Sequence, residues 1–403
     1  MPRPFIVYQG PWAWDFLWNR AQPLAKALSA EATVLYLSPG AGGERQLPSR
    51  LVRKVPLLRP LVDRWLVPRG LRSIHPGLWV QAWEWGSLSP QQVGWSDYPP
   101  GLVRYLRSVV DRLAEGHDEC WLLTSRPAAR ALTTLRHWDR ILGDLEDPWL
   151  DPQYPRYTPP ESIAQLAATA DVIFGNGPAL ATEYSRLLGR PVVDLPNGID
   201  RSFLEGLDRH PPRPACFRAG DRCRLVFTGN MNERFDYAAL LEAMRRHPAA
   251  GFYFFGTRKV PASASAEWRA IAALPNLRLV PPIPHAEIPG VLLHADGLLL
   301  PYARERCQAM FPAKLYEYLA AGRPVLATMD FGLRGPGADS IRICPTAESL
   351  AGAVGDLAEG RWQPTAEQRS AGRRLAERNT WEERAAAVMA AVRATPARSK
   401  ARE

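Results

Sequence analysis

Nowhere do the 403 residues hold an apolar run long enough to cross a bilayer. Stretches such as Gly297-Leu-Leu-Leu300 fall far short of the roughly 20 residues a spanning helix needs. The first residues, Met-Pro-Arg-Pro-Phe-Ile-Val-Tyr-Gln-Gly, lack an apolar core followed by a small-residue cleavage site, so neither a secretory signal nor an anchor is expected, and the predicted location is the cytoplasm. Cysteine is scarce as well: the five residues (Cys120, Cys216, Cys223, Cys307, Cys344) form no CxxC pair and no metal-ligand spacing with the seven histidines. A disulfide framework and a zinc site are thereby excluded as expectations, and no metal is predicted. Lysine is rarer than its class suggests, with five among 50 basic residues, and no internal repeat or low-complexity tract interrupts the chain.

What the sequence does have is the means to build cores. Hydrophobic residues make up 46% and charged residues 23%, and the length fits two domains rather than one. The net charge of +9 favours a polyanionic partner, which includes nucleotide phosphates, an anionic membrane face and nucleic acid. Short apolar segments alternate with segments of helical composition. Phe5–Tyr8, Thr33–Leu37, Cys120–Leu123, Arg140–Gly143 and Asp171–Phe174 read as strands in the first half, and Arg224–Thr228, Gly251–Phe255, Asn276–Val280, Gly297–Leu300 and Pro324–Ala327 in the second. Continuously apolar strands interleaved with helices predict parallel sheets covered on both faces. A proline-rich polar stretch near Arg209–Arg222 breaks the pattern. The predicted organisation is a first Rossmann-like domain over 1–200, a linker over 201–222, a second Rossmann-like domain over 223–378, and a last helix from 379 onward.

The segment richest in chemistry is Phe311-Pro-Ala-Lys-Leu-Tyr-Glu-Tyr-Leu-Ala-Ala-Gly-Arg-Pro-Val-Leu-Ala327. Pro312 stands where a helix is predicted to start, and a helix start attracts phosphate. Lys314 is placed against the helix dipole, which makes sense if it reaches an anion held at that end. Glu317 shares its face, and a carboxylate accepts the two hydroxyls of a ribose. A plain surface Lys–Glu pair is the competing reading.

This stretch resembles the donor motif of glycosyltransferases with the GT-B fold, P-x-K-x-x-E-[YF]-[LM]-A-x-G-x-P-V. Leu195-Pro-Asn-Gly-Ile-Asp200, Val226-Phe-Thr-Gly-Asn230 and Asn379-Thr-Trp-Glu-Glu-Arg resemble other landmarks of that family in the expected order, so the resemblance spans about residues 165 to 395. Trp14–Gln22 and Ile141–Asp147 look like its bacterial cell-surface-polysaccharide branch. The resemblance implies an α/β GT-B fold, two doubly wound domains facing a central cleft, with the last helix crossing back to the first domain. It implies a nucleotide-sugar donor, UDP or GDP, with no further cofactor. Lys314 would contact the diphosphate and Glu317 the ribose. Gly229, Asn230 and Gly256 would meet phosphate through their backbone, with Arg234 and Arg258 adding charge, Ile283 lying at the base and Pro312 at the helix start.

Two departures bear on mechanism. Where relatives carry Arg and Lys after the glycine, this chain has Asn230 and Asp236, and Asp236 suits a helix cap. Where retaining relatives carry a second glutamate, this chain has Ala309, leaving Gln308 or Glu305 to hold the sugar, or an inverting route open. For a base, Asp144 and Asp147 are the candidates, with Glu146 between them and Asp15 a further one. Trp12, Trp14, Asp15 and Arg20 are assigned to the acceptor side. Residues 47–72, with seven basic residues against one acid and apolar residues between, suit an anionic leaflet and a lipid-linked or saccharide acceptor. A nucleotide-sugar epimerase of the same fold, a non-catalytic sugar-nucleotide sensor and a polyanion-binding protein are the alternatives. No helix-turn-helix, zinc-finger or RNP-like pattern supports nucleic acid as a partner.

Overall fold

A computed structural model describes residues 3–11, 14, 18–39, 67–84, 100–125, 130–150, 160–307 and 309–396. The chain divides into two compact units. The first comprises Met1–Pro196 with Trp381–Glu403, and the second Asn197–Thr380.

The first unit is built on an eight-stranded sheet. Its strands are β1 (Phe5–Gln9), β2 (Thr33–Pro39), β3 (Val67–His75), β4 (Leu78–Glu84), β5 (Cys120–Thr124), β6 (Arg140–Leu145), β7 (Val172–Gly175) and β8 (Val193–Asp194), in the spatial order β3-β4-β2-β1-β5-β6-β7-β8. Only the β3–β4 pair is antiparallel. The helices are α1 (Ala21–Leu28), α2 (Pro100–Ala114), α3 (Arg130–Thr133), α4 (Pro160–Thr169) and α5 (Pro178–Leu188). Every residue of β1 and β5 is buried, as a strand sandwiched between helical layers requires.

The second unit carries α6 (Arg201–Asp208), β9 (Cys223–Thr228), α7 (Tyr237–Arg246), β10 (Ala250–Phe255), α8 (Ser265–Ala272), β11 (Leu277–Val280), α9 (Ile288–Leu293), β12 (Gly297–Leu300), α10 (Leu315–Ala321), β13 (Val325–Ala327), β14 (Ile341–Ile343), α11 (Ala347–Ala358) and α12 (Ala366–Glu377). Its six strands are all parallel in the order β11-β10-β9-β12-β13-β14. Written from the unit's own first strand this is 3-2-1-4-5-6, the doubly wound arrangement whose order reverses between β9 and β12. Ligands of such sheets bind beyond the carboxyl ends of the strands at that reversal.

The final helix, α13 (Trp381–Ala394), belongs to the first unit. Trp381, Ala385, Val388, Met389 and Val392 recur on one face at helical spacing and enter the same apolar cluster as Ala21, Leu24, Ala25 and Leu28 of α1.

Three expectations differ from the structure. Residues 201–208 are helix rather than linker: Phe203, Leu204 and Leu207 lie on one helical face and are buried in the core of the second unit, so only 209–222 is irregular chain. The second unit accordingly begins at Asn197, whose side-chain amide donates to the Phe311 carbonyl at 3.0 Å. Residues 67–72 of the basic segment lie in β3, an edge strand, while 47–66 lie outside the described residues. The β3–β4 pair itself went unread, because Val67–His75 mixes Arg, Ser and Gly among its apolar residues and shows no buried-strand signature.

Truncating Met389 to Ala should destabilise the first unit by about 2–5 kcal/mol, the usual cost of emptying a buried aliphatic site. Urea unfolding followed by tryptophan fluorescence measures it; a loss below about 1 kcal/mol would mean that α13 is not part of that core.

Candidate donor site

The carboxyl ends of β9 and β12 send out two loops that are joined to each other. Asp236 donates its N–H to Pro301 O at 2.9 Å and Ala303 donates to Arg234 O at 2.8 Å, with Phe235 and Tyr302 forming an antiparallel bridge. The Arg306 guanidinium adds a bond to Glu233 O at 2.7 Å. Asp236 caps α7, its carboxylate accepting from Ala239 N at 2.9 Å. This pairing fixes Tyr302, and Tyr302 in turn fixes Lys314.

Lys314 Nζ donates to the Tyr302 hydroxyl at 3.0 Å and lies 5.1 Å from the Phe227 ring centroid and 5.7 Å from that of Tyr302. A half-buried ammonium over two aromatic faces is held by the ring quadrupoles. Among the described residues no carboxylate pairs with it. A Cβ placed on Gly229 would lie 3.4 Å from that nitrogen, so the ammonium stands directly beside the β9 loop. Gly229 has φ 128° and Gly256 φ 139°, both in the region that L side chains avoid. A Cβ on Gly256 would run directly into the Gly229 carbonyl. The N–H groups of Gly229 and Met231 are committed to Phe255 O and Thr257 O, leaving that of Asn230 without a backbone acceptor among the described residues. The Asn230 side chain accepts from Thr257 Oγ1 at 2.5 Å.

Beside these glycines is a pocket of about 190 Å³ over the ends of β9, β10 and β11. Gly229, Gly256, Thr257, Arg258, Val280 and Pro281 are among its lining residues. Arg258 also lies over the Trp268 ring at 5.4 Å, so its guanidinium is partly engaged by an aromatic face. Arg234 directs a guanidinium N–H to Met310 Sδ at 3.7 Å. Ile283 is half-buried in the chain that leaves the pocket edge.

That same chain ends in His285, whose Nε2 donates to Glu317 Oε1 at 2.8 Å. Burial opposes a charge on His285, but the hydrogen bond and the negative charge of Glu317, with Asp200 adding, hold its pKa above the ordinary 6.5. The sequence assigns no role to His285 or to Tyr302, although Tyr302 closes the stretch Asp296–Tyr302 that leads to the donor motif. The signal for each was its position, directly after the Val280–Ile283 loop and directly after Leu300-Pro301.

The helix start differs from expectation. Leu315 N bonds Pro312 O, a tight turn, so α10 runs from Leu315 and Lys314 is its N-cap. Pro312 is therefore buried in the preceding turn, and Glu317, three residues past the cap, falls in the first helical turn. Gln308 lies outside the described residues, Ala309 is buried, and Glu305 is exposed on a short 3-10 turn.

The first-unit candidates are placed differently. Asp144 is 1% exposed: Arg20 reaches it through Nε at 3.0 Å and a terminal nitrogen at 2.7 Å, and Tyr8 donates to it at 3.0 Å. Burial raises the Tyr8 phenol well above its usual value, with Asp144 adding, which keeps it a neutral donor. An ion pair sealed in this way ties α1 to β6 and is closed to an incoming hydroxyl, so neither Asp144 as base nor Arg20 as acceptor-side residue fits. Trp14 is buried, its ring 5.0 Å from that of Tyr36, and serves as core rather than as a sugar platform. Asp147 is half-buried just past β6, its carbonyl accepting from the Tyr184 hydroxyl at 3.0 Å. Trp12 and Asp15 lie outside the described residues.

With this geometry in hand, the comparisons with known proteins can be placed. Residues 222–359 match the family model of the glycosyl transferases group 1. The similarity to that family covers this stretch of the second unit. A putative teichuronic acid biosynthesis glycosyltransferase, TuaH of Bacillus subtilis (strain 168), is 26% identical over 224 residues, 52% of this chain and 56% of the relative. The match thus spans little more than half the length of that relative. In fold, the chain resembles sucrose-phosphate synthase from Thermosynechococcus elongatus, with a TM-score of 0.68 at 14% identity over 97% of this chain and 98% of the other. It also resembles HepE from Anabaena, solved in complex with UDP, with a TM-score of 0.60 at 14% identity over 97% and 99%. The group 1 match covers β9 through α11 and so contains Gly229, Gly256, His285, Lys314 and Glu317.

Two substitutions test this geometry. Gly256→Ala should cost at least about 2 kcal/mol from backbone strain and the collision with Gly229; thermal unfolding reads it, and an unchanged melting temperature would contradict the close approach. Asp144→Ala should cost about 3–5 kcal/mol by removing the carboxylate that the buried Arg20 guanidinium bonds; a denaturant midpoint within error of the parent would mean the pair is not sealed.

Proposed function

We propose that this chain transfers a sugar from a nucleoside diphosphate donor, UDP- or GDP-linked, to a saccharide or lipid-linked acceptor in bacterial surface polysaccharide or glycolipid assembly. The observation that carries the donor half is the convergence, at the reversal point of the second sheet, of an ammonium with no counter-carboxylate among the described residues, two glycine-opened strand ends, a small pocket and a half-buried carboxylate. Lys314 stabilises the diphosphate as it departs, which is where negative charge develops when the glycosidic bond breaks. Its ammonium is positioned before the donor arrives, so little reorganisation is left for the moment of reaction. The Asn230 N–H adds a backbone donor, and Arg234 and Arg258 border the same loops. The pocket beside Val280 and Pro281 receives the base, and Glu317 accepts from the ribose.

The relation to the Bacillus teichuronic acid glycosyltransferase supports polysaccharide assembly as the setting. No helix among the described residues is long and apolar enough to cross a membrane. Work at the inner membrane face, through the basic residues of 47–72, rests on their charge pattern.

Thermal unfolding against a panel of nucleoside diphosphates and their sugars tests this reading. A ligand at 100 times its Kd stabilises by about 2.7 kcal/mol. One base should raise the melting temperature, and Lys314→Ala should weaken its binding by about 1.5–3 kcal/mol, the worth of a hydrogen bond to a charged group. Binding undiminished in that variant would put the donor elsewhere.

A further inference from the structure

Among the described residues, His285 is the titratable side chain that joins the loop at the pocket edge to the carboxylate on α10. Its loop begins where β11 ends, with Val280 and Pro281 lining the pocket. Its imidazole then reaches across to Glu317 at 2.8 Å. The other face of the ring meets Phe203 of α6, centroid to centroid 5.1 Å, so the imidazole is packed as well as bonded. Lys314, three residues before Glu317, is tied to Tyr302 instead, so the two charged groups of this motif have separate partners.

Arg201 and Glu205 lie on α6 and Lys314 at the cap of α10, but the charges that act on the ring are carboxylates. Glu317 on α10 and Asp200, just ahead of α6, both act to favour the imidazolium. Glu287 is on its own short turn, and α9, which continues from that turn, has no titratable residue among Ile288–Leu293. Both carboxylates favour the protonated ring, and burial opposes it, the carboxylates prevailing.

We propose that His285 is a positioning residue for the nucleotide: protonated, it aims the Glu317 carboxylate at the ribose and draws the pocket-edge loop against α10, so that donor affinity depends on the protonation state of this imidazole. The inference rests on the donor reading above. A carboxylate bonded by a cation through one oxygen presents its other lone pairs in a fixed direction, and a charge-assisted bond holds it more firmly than a neutral one. When the imidazole loses its charge-giving proton, its Nε2–H can still donate to Glu317, but the bond is no longer charge-assisted and holds the carboxylate less firmly. Affinity should therefore be greatest at the acid end of the neutral range and fall as pH rises through the elevated pKa.

The test is calorimetric titration with UDP and with GDP between about pH 6 and 8.5, the span in which imidazoles titrate. It compares the wild type with His285→Gln, whose amide N–H still reaches toward Glu317 but carries no charge. Titration of the diphosphate itself is common to both proteins and cancels in the ratio of their Kd values. That ratio should favour the wild type by about three- to tenfold at low pH and approach unity at high pH. In a Glu317→Gln background the His285 substitution should change nothing further. A ratio flat across pH, with nucleotide bound in both, overturns the role of His285 and leaves the donor site standing. Absence of binding of either nucleotide to folded wild type overturns the donor reading and this inference together. Should His285→Gln fail to fold, the wild-type ring resonance followed by NMR decides: its titration must shift upward when nucleotide is added, and indifference to nucleotide overturns the proposal.

Discussion

An ammonium kept beside the ends of β9 and β12, with no carboxylate among the described residues paired to it, is the constraint around which the second unit is arranged. Lys314 is half-buried, so part of its hydration is lost, and what replaces it is a phenol oxygen and two ring faces. A carboxylate would hold the cation more tightly but would also cancel it. Aromatic faces leave the charge available for an incoming anion. That choice places demands elsewhere. Phe227 must point from the end of β9, and Tyr302 must be fixed by the pairing of the β9 and β12 loops. Gly229 must have no side chain, and Gly256 must lie against its carbonyl. All of these lie at the reversal of strand order between β9 and β12, where the two loops leave neighbouring strand ends and pair with each other.

The first unit uses charge in the opposite way. Arg20 and Asp144 are fully buried, matched to each other, and supplemented by Tyr8. Such a pair contributes little net energy over an apolar replacement, yet removing one member is costly. It fixes α1 against β6 and does no chemistry with solvent. The contrast shows why burial decides what a charged residue can do: the same residue types, in the two units, serve as a rivet and as a waiting receptor.

Much of this was legible in the chain because buried parallel strands announce themselves. The apolar runs at Phe5, Thr33, Cys120, Arg224, Gly251 and Gly297 all became strands near their expected bounds. Lys314 and Glu317 stood out through a motif whose spacing is tied to one helical turn. What was not legible depended on distant partners. Asp144 looked like a base since it follows a strand, and only folding brings Arg20, 124 residues earlier, onto it. His285 looked like a loop residue until α10 delivered Glu317, 32 positions later. Arg201–Asp208 lay beside a proline-rich stretch, and its three apolar residues were too few to signal a helix before a core existed to receive them. The edge pair β3–β4 carries polar residues because an edge needs only partial burial, and so lacks the pattern of its neighbours.

The membership of α13 in the first unit makes that unit discontinuous along the chain, whereas the second is one unbroken stretch. On a ribosome this reverses the order in which the units can be finished. The apolar face formed by Ala21, Leu24, Ala25 and Leu28 emerges early, yet Trp381, Val388 and Met389 that pack with it come only after the whole second unit. At ~5–20 residues per second, about ten to forty seconds pass between the end of the first unit's main stretch and the arrival of its closing helix. During that interval the second unit can fold to completion while its predecessor stays open along α1. A nascent chain of this protein therefore carries an unsealed apolar seam until α13 emerges, and the arrival of that helix, rather than the domain boundary, marks the moment at which this core closes.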